Sequence, residues 1–273
     1  MKGKRAEKGG VARPRSRREP PAGRRAQWIL LIGSLLSGLV LWEFVCRLTG
    51  LPAFVLPPPE AVAARLIRAV ADGSLLRNTL VTLEEVAAGL FLGLGIAFSL
   101  GYMLAKSPSA ERLLAPYIVA SQSVPVVAIA PLLVIWFGPG RLSKVLIAAL
   151  IVFFPVLVNS IVGLRAVPED LRDLMRSLRA TRWQVFVKLE MPAAMPVLLG
   201  GLKVGATLSV IGAVVGEFVG SDQGLGFLIN VGRGQYDTAL VFLAVFVLVG
   251  LAMALYGIVA LLERRLLAWK TEP

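Results

Sequence analysis

Six stretches of this chain are long and apolar enough to cross a lipid bilayer, and they constrain the fold more than any motif does. They run from Trp28 to about Cys46, from about Thr79 to Ala105 and from roughly Leu113 to Ile135. The others cover about Val145–Val162, Pro196–Val219 and Ala239–Leu262. A helical span needs about 20 such residues. Hydrocarbon offers no water to backbone amides, so each span must satisfy its own hydrogen bonds as helix. The expected class is an all-α membrane protein with six transmembrane helices. Composition agrees: 56% of residues are hydrophobic and 17% charged, whereas a water-facing domain carries about 25% charge. The chain has no His, which removes the usual general base and the commonest metal ligand. Cys46 is its one cysteine, so no intrachain disulfide can form. No catalytic residue, cofactor or metal site is assigned.

The net charge of +12 is unevenly placed. Residues 1–27 hold ten Lys and Arg against Glu7 and Glu19. With almost nothing apolar to bury, this tail is expected to be disordered. It lacks aromatics for base stacking, so it reads as an anchor against an anionic membrane surface, not as a nucleic-acid binder. The span after it is too long for a signal-peptide core and no small-x-small site closes it, so it is expected to be retained. With the N-terminus inside, the inner segments 1–27, 105–112, 163–195 and 263–273 hold 21 Lys and Arg. The outer segments 47–78, 136–144 and 220–238 hold seven. Both termini are therefore expected in the cytoplasm. The parts are a basic tail (1–27), a first span with an outer amphipathic segment (28–72), a core (73–264) containing the loop 163–195, and a short cytoplasmic tail (265–273).

Two segments outside the spans are patterned. After Leu56-Pro57-Pro58-Pro59, the run Glu60–Ala71 places Val62, Leu66, Ala69 and Val70 on one side, which predicts a short helix on the outer face. It serves either as a packing lid or as a ligand contact. In the inner loop, Pro168-Glu169-Asp170 starts a helix with acids at the positive end of its dipole. Leu171, Leu174, Met175 and Leu178 form its apolar stripe. A second short helix carries Trp183, Val185, Phe186 and Val187, with Thr181 as a cap, and is expected to end at Met191-Pro192. Two such helices suit either docking into a groove of another protein or lying on lipid headgroups.

This loop resembles the cytoplasmic signature of permease subunits of bacterial ATP-binding-cassette (ABC) importers: Glu-Ala-Ala, three residues, Gly, nine residues, Ile-x-Leu-Pro. Glu-Ala-Ala falls on Asp173-Leu174-Met175, and Ile-x-Leu-Pro on Leu189-Glu190-Met191-Pro192. Arg179 stands where the pattern has Gly, the usual residue of its tight corner. The following Ala180-Thr181-Arg182-Trp183-Gln184 is similar to the family's stretch. Leu56-Pro57-Pro58-Pro59, the runs 130–138 and 153–159, Gly216-Glu217-Phe218 and Gly224–Ile229 resemble the nitrate/sulfonate/taurine branch over residues 52–269. The resemblance implies a type I ABC importer permease fold in the bacterial inner membrane. It also implies a homodimeric pore, two cytoplasmic ATP-binding subunits and an extracytoplasmic solute-binding protein. Contact with the ATP-binding subunit would fall on Asp173, Leu174, Met175, Leu178, Arg179, Ala180, Trp183 and Pro192. The chain has no Gly-x4-Gly-Lys-Ser/Thr run of its own, so nucleotide chemistry is expected in the partner.

A charge at mid-bilayer costs about 2.5–3.5 kcal/mol on insertion scales, so Glu43, Lys203 and Glu217 need reasons. Glu43 can reach Arg47 one turn on. Lys203 can snorkel inward or act in transport. Glu217, above a Gly-rich face, either lines the path or is structural. Glu84 and Glu85 are expected at the outer headgroups. Ser121, Gln122 and Ser123 lie between Pro116 and Pro125, where a bent helix would expose them to the path together with Asn159. The glycines at 89 and 93, and at 201, 205, 212, 216 and 220, permit close helix packing. A rival class is an ion-coupled secondary transporter, which predicts internal repeats that the chain does not display. Another is an intramembrane enzyme, disfavoured without His. For substrate, the runs 170–180 and 216–230 look most like importers of vitamin heterocycles, riboflavin or the thiamine pyrimidine precursor. Sulfonates, taurine or nitrate are the alternative.

Overall fold

A computed structural model describes residues 24–268. Every regular element among them is helical, and the chain forms two compact units that divide after Gly50. The described part of the first unit is one helix, α1 (Arg24–Thr49). It begins inside the stretch read as the disordered tail, because Arg24–Gln27 continue the helical run; residues 1–23 and 269–273 lie outside the described range. Arg47 donates to Glu43 at 2.5 Å, the i,i+4 pair expected from spacing.

The second unit holds α2 (Pro59–Ala71), α3 (Ser74–Lys106), α4 (Pro108–Gln122), α5 (Val126–Phe137) and α6 (Arg141–Arg165). It continues with α7 (Glu169–Ser177), α8 (Arg182–Val185), a π-helical turn (Phe186–Glu190), α9 (Met191–Gly220), α10 (Leu225–Gly234) and α11 (Thr238–Leu266). Among the described residues, five helical segments are long and apolar enough to cross a membrane, and a sixth span results if the bent pair α4–α5 counts as one. The third stretch is therefore not one continuous helix. Its halves meet at 91°. Pro125 has no N–H to give, and it biases Val124 before it away from helix. Pro116 and Pro131 stay inside α4 and α5.

Helix α6 is the centre of the unit, packed against both α3 and α9. Small residues make this possible. A Cβ on Gly212 would lie 2.5 Å from the Ala148 Cα, and one on Gly93 2.8 Å from the Ala149 carbonyl. Leu90, Ala97, Leu104, Val152, Val156, Leu157 and Ala206 fill the seam. Lys203 on α9 pairs with Glu263 on α11 and lies 5.7 Å from the Tyr256 ring, so its charge is met inside the subunit. Helix α2 packs on α3 and α11, and Arg65 reaches Asp237 at 2.9 Å. Asp237 also caps α11 by accepting from the Leu240 N–H.

Candidate functional site: the two ends of the bundle

At the end carrying the loop 163–195, α7 stands off the spans as an amphipathic helix. Its apolar stripe is bare: Leu171, Leu174 and Leu178 are 43%, 54% and 68% exposed, and Met175 is half-buried. Asp173 accepts from Arg176 at 2.7 Å on the outer surface. Arg172 ties the helix down, donating to the Leu164 carbonyl at 2.9 Å. Buried Glu190 pairs with Lys106 from the end of α3, and the Arg172 Nε lies 3.9 Å from it.

The corner after α7 is tight although its residue is not glycine. Arg179 has φ 51°, in the left-handed region. The Ala180 N–H bonds to the Met175 carbonyl and the Arg179 N–H to that of Arg176, which together make a Schellman ending. Thr181 then caps α8 through a reciprocal box with Gln184. A left-handed conformation costs a residue with a Cβ roughly 1–2 kcal/mol. Arg179→Gly is expected to stabilise the loop by about 1 kcal/mol, read as slower amide exchange in α7 with α8 unchanged.

Pro192 does not end the second helix as expected. The π turn lets the Met191 N–H bond to the Phe186 carbonyl, five residues back. That shift of register admits Pro192 in the first turn of α9, and the helix runs unbroken from Arg182 to Gly220. Trp183 is 70% exposed and packs on Phe186, which stacks edge-on against Tyr102 of α3. Ala180 is half-buried beside it.

The polar trio of the third stretch lies at the α4–α5 break. Gln122 and Ser123 are exposed, and Ser121 donates to the Ile118 carbonyl. Asn159 is half-buried, donates to the Pro155 carbonyl at 2.7 Å and packs on Gly201.

Glu217 is fully buried at the opposite end from the loop 163–195. One carboxylate oxygen accepts from the Thr82 hydroxyl at 2.6 Å and the other from the Gly226 N–H at 2.5 Å. Thr82 in turn accepts from the Leu225 N–H, and Asn78 from the Gly224 N–H. The first amides of α10, which helix geometry leaves unpaired, are thus met by side chains of α3 and α9. Lys144, in the first turn of α6, donates to Ser221 at 2.8 Å and faces Glu85 at 3.5 Å. Glu85 is 1% exposed and not at the headgroups. Glu84 is exposed and pairs with Arg141 at 3.0 Å. Sequence reading missed Asn78, Thr82, Glu85 and Lys144 as one cluster. The available signal was their spacing: 78, 82 and 85 share one face of the helix.

Residues 89–268 match the family described as binding-protein-dependent transport system inner membrane component. The riboflavin transport system permease protein RibX of Chloroflexus aurantiacus is 46% identical over 239 residues, covering 88% of this chain and 89% of that protein. The formylaminopyrimidine transport permease protein ThiX of Halalkalibacterium halodurans is 34% identical, over 86% and 93% of the two chains. The taurine transport system permease protein TauC of Escherichia coli is 31% identical, over 90% and 91%. Among solved structures, a chain of the inward-facing MetNI methionine ABC transporter superimposes with a TM-score of 0.63 at 19% identity, over 72% of this chain and 97% of that one.

Proposed function

This chain belongs to the family of binding-protein-dependent transport system inner membrane components, as an ABC importer permease, and from that premise we propose that it carries riboflavin inward across the membrane. The observation that supports coupling to a separate motor is the bare stripe Leu171, Leu174, Leu178 on a helix whose Arg172 is bonded to the end of α6 and lies near Glu190 of the π turn, which Lys106 of α3 engages. An apolar face held rigidly away from the bundle is what a partner's groove requires. The partner in this reading is a cytoplasmic ATP-binding subunit, in two copies, gripping Asp173, Leu174, Met175, Leu178, Arg179 and Ala180, with Trp183 and Pro192 at the root of the contact. ATP-driven closure of that pair would swing α7 and, through the unbroken helix from Arg182, α9.

The basic bias of 163–195 supports a cytoplasmic position for this loop and for both termini. Glu217 and the α9–α10 turn then face outward, where a solute-binding protein delivers its cargo. Exposed Gln122 and Ser123 at a bend within a span support a second copy of the chain. Polar groups at membrane depth are tolerated against protein or a water-lined cavity, not against lipid. We assign Ser121, Gln122 and Ser123 to the lining of a path between two copies. Asn159 and Glu217 keep their polar groups engaged within the subunit and are assigned to shaping that path.

Riboflavin rests on the 46% identity with RibX over nearly the whole length. The relatives named for formylaminopyrimidine and taurine define the alternatives. The test is uptake of labelled riboflavin into proteoliposomes holding the permease, its ATP-binding subunit and the solute-binding protein. Saturable, vanadate-sensitive uptake that requires all three is expected. Uptake driven by an ion gradient and collapsed by an ionophore would overturn the coupling. Selective uptake of taurine or the pyrimidine would overturn the substrate.

A further inference from the structure

Between the end of α3, α7 and the start of α8 lies a recess of about 660 Å³. Its walls include Lys106, Arg172, Arg176 and Arg182, with Glu190 and Tyr102. Glu190 is already engaged by Lys106 and Arg172, and Arg176 by the exposed Asp173. Four cations against these two carboxylates leave a positive surplus concentrated in one concavity. Lys106 is the last residue of a helix long and apolar enough to cross a membrane, so the recess opens beside the end of that helix. Trp183 and, one helical turn on, Val187 are 70% and 44% exposed. They provide an apolar shelf on the continuous helix that begins at Arg182.

We propose that this recess binds the phosphate headgroup of an anionic phospholipid from the cytoplasmic leaflet, with the first carbons of its acyl chains on Trp183 and Val187. Basic side chains converging where spans end are suited to a diester phosphate, and each contributes to capture from an anionic leaflet. Arginine matches phosphate oxygens with paired donors. The aromatic shelf at the interface distinguishes a lipid from a free anion, which has no use for one. Because Arg172 and Arg176 sit on α7, the bound headgroup would brace the helix that meets the motor. Anionic lipid would then regulate coupling. The side of the membrane and the effect on coupling rest on the permease reading above.

The test uses the full-length permease, purified alone and placed in phosphatidylcholine nanodiscs with or without a minor fraction of cardiolipin or phosphatidylglycerol. Retained lipid is counted by native mass spectrometry. Anionic lipid should be retained over phosphatidylcholine, and Arg176→Gln with Arg182→Gln should weaken retention about 30-fold. Arg176→Lys with Arg182→Lys keeps the charge but not the paired donors, so retention should fall less than for the glutamine pair, about threefold to tenfold, which separates loss of the site from loss of fold. Equal retention by the glutamine pair overturns the proposal. So does inorganic phosphate that binds and displaces the lipid, which would mark a free-anion site. Stoichiometric displacement of lipid by the ATP-binding subunit also overturns it, since the recess would then receive acidic side chains of that partner. Lipid retention without ATP-driven uptake would leave this site standing and remove the transport reading instead.

Discussion

Aspartate at both Leu174 and Leu178 is expected to strip the ATP-binding subunit from the purified complex and to bring uptake to background, with the permease still in the membrane. The two leucines are 54% and 68% exposed in the single subunit. Their apolar surface is therefore not used in folding this chain. Burying a leucine contributes about 1.5–3 kcal/mol, and forcing a carboxylate into the same groove adds a desolvation cost. The pair should weaken association by more than about 4 kcal/mol, on the order of a thousandfold. Co-purification and ATPase rate in the assembled complex measure it. The control is the substitution of Leu171 by Met, which preserves an apolar stripe and should be nearly silent. If α7 instead lay on lipid headgroups, the aspartates would loosen the loop from the membrane and leave subunit association intact. Since Arg172 anchors α7 through the Leu164 carbonyl and the stripe lies elsewhere on the helix, permease insertion and thermal stability should change little.

Much of this architecture is legible in the sequence because the features concerned are local. Span length is a matter of consecutive apolar residues, and five of the six stretches are single helices, each a few residues longer than its apolar run. The extra residues are polar ends such as Ser74–Asn78 and Arg141–Lys144, which hydropathy excludes but helix formation does not. The helix α2, the stripe of α7 and the Thr181 cap were equally readable, since each depends on neighbours three or four residues away. What escaped depends on contacts across the chain or on a balance of small terms. Glu85 and Lys144 are 59 positions apart and meet only once α3 and α6 pack. Glu84, one residue from Glu85, faces water, so composition could not separate the two. Arg179 looked incompatible with a tight corner, yet two backbone hydrogen bonds outweigh its left-handed strain. Pro192 looked like a helix end. A single π turn converts it into an interior residue, and nothing in residue spacing announces such a turn.

Glu217→Ala is the second large expected effect, and its size distinguishes a structural carboxylate from one that acts on cargo. Alanine would leave the Gly226 N–H without its acceptor in a site closed to water, and would turn the Thr82 hydroxyl from Glu217 at 2.6 Å to the Asn78 carbonyl at 3.2 Å. An orphaned buried donor costs about 1–3 kcal/mol. The purified variant should unfold at a clearly lower temperature, with the turn 221–224 becoming sensitive to protease first. Glu217→Gln should lose much less. Its carbonyl oxygen can accept from Gly226. Its NH2 can donate to Thr82, whose own proton can turn to the Asn78 carbonyl, 3.2 Å away. Thr82 and Gly226 then both keep a partner, leaving one N–H of the glutamine amide as the donor still to be met. Removing the charge also leaves Lys144 to Glu85 without a second carboxylate nearby, so the glutamine variant is not penalised electrostatically. A carboxylate that contacts substrate in the path would give the reverse pattern: both variants stable, and both defective in transport. With Glu217 fully buried and all its bonds made to α3 and α10, the expected order of stability is Glu, then Gln, then Ala. Transport should follow that order, because the amides of α10 hold their positions only while the oxygen atoms of α3 and α9 receive them.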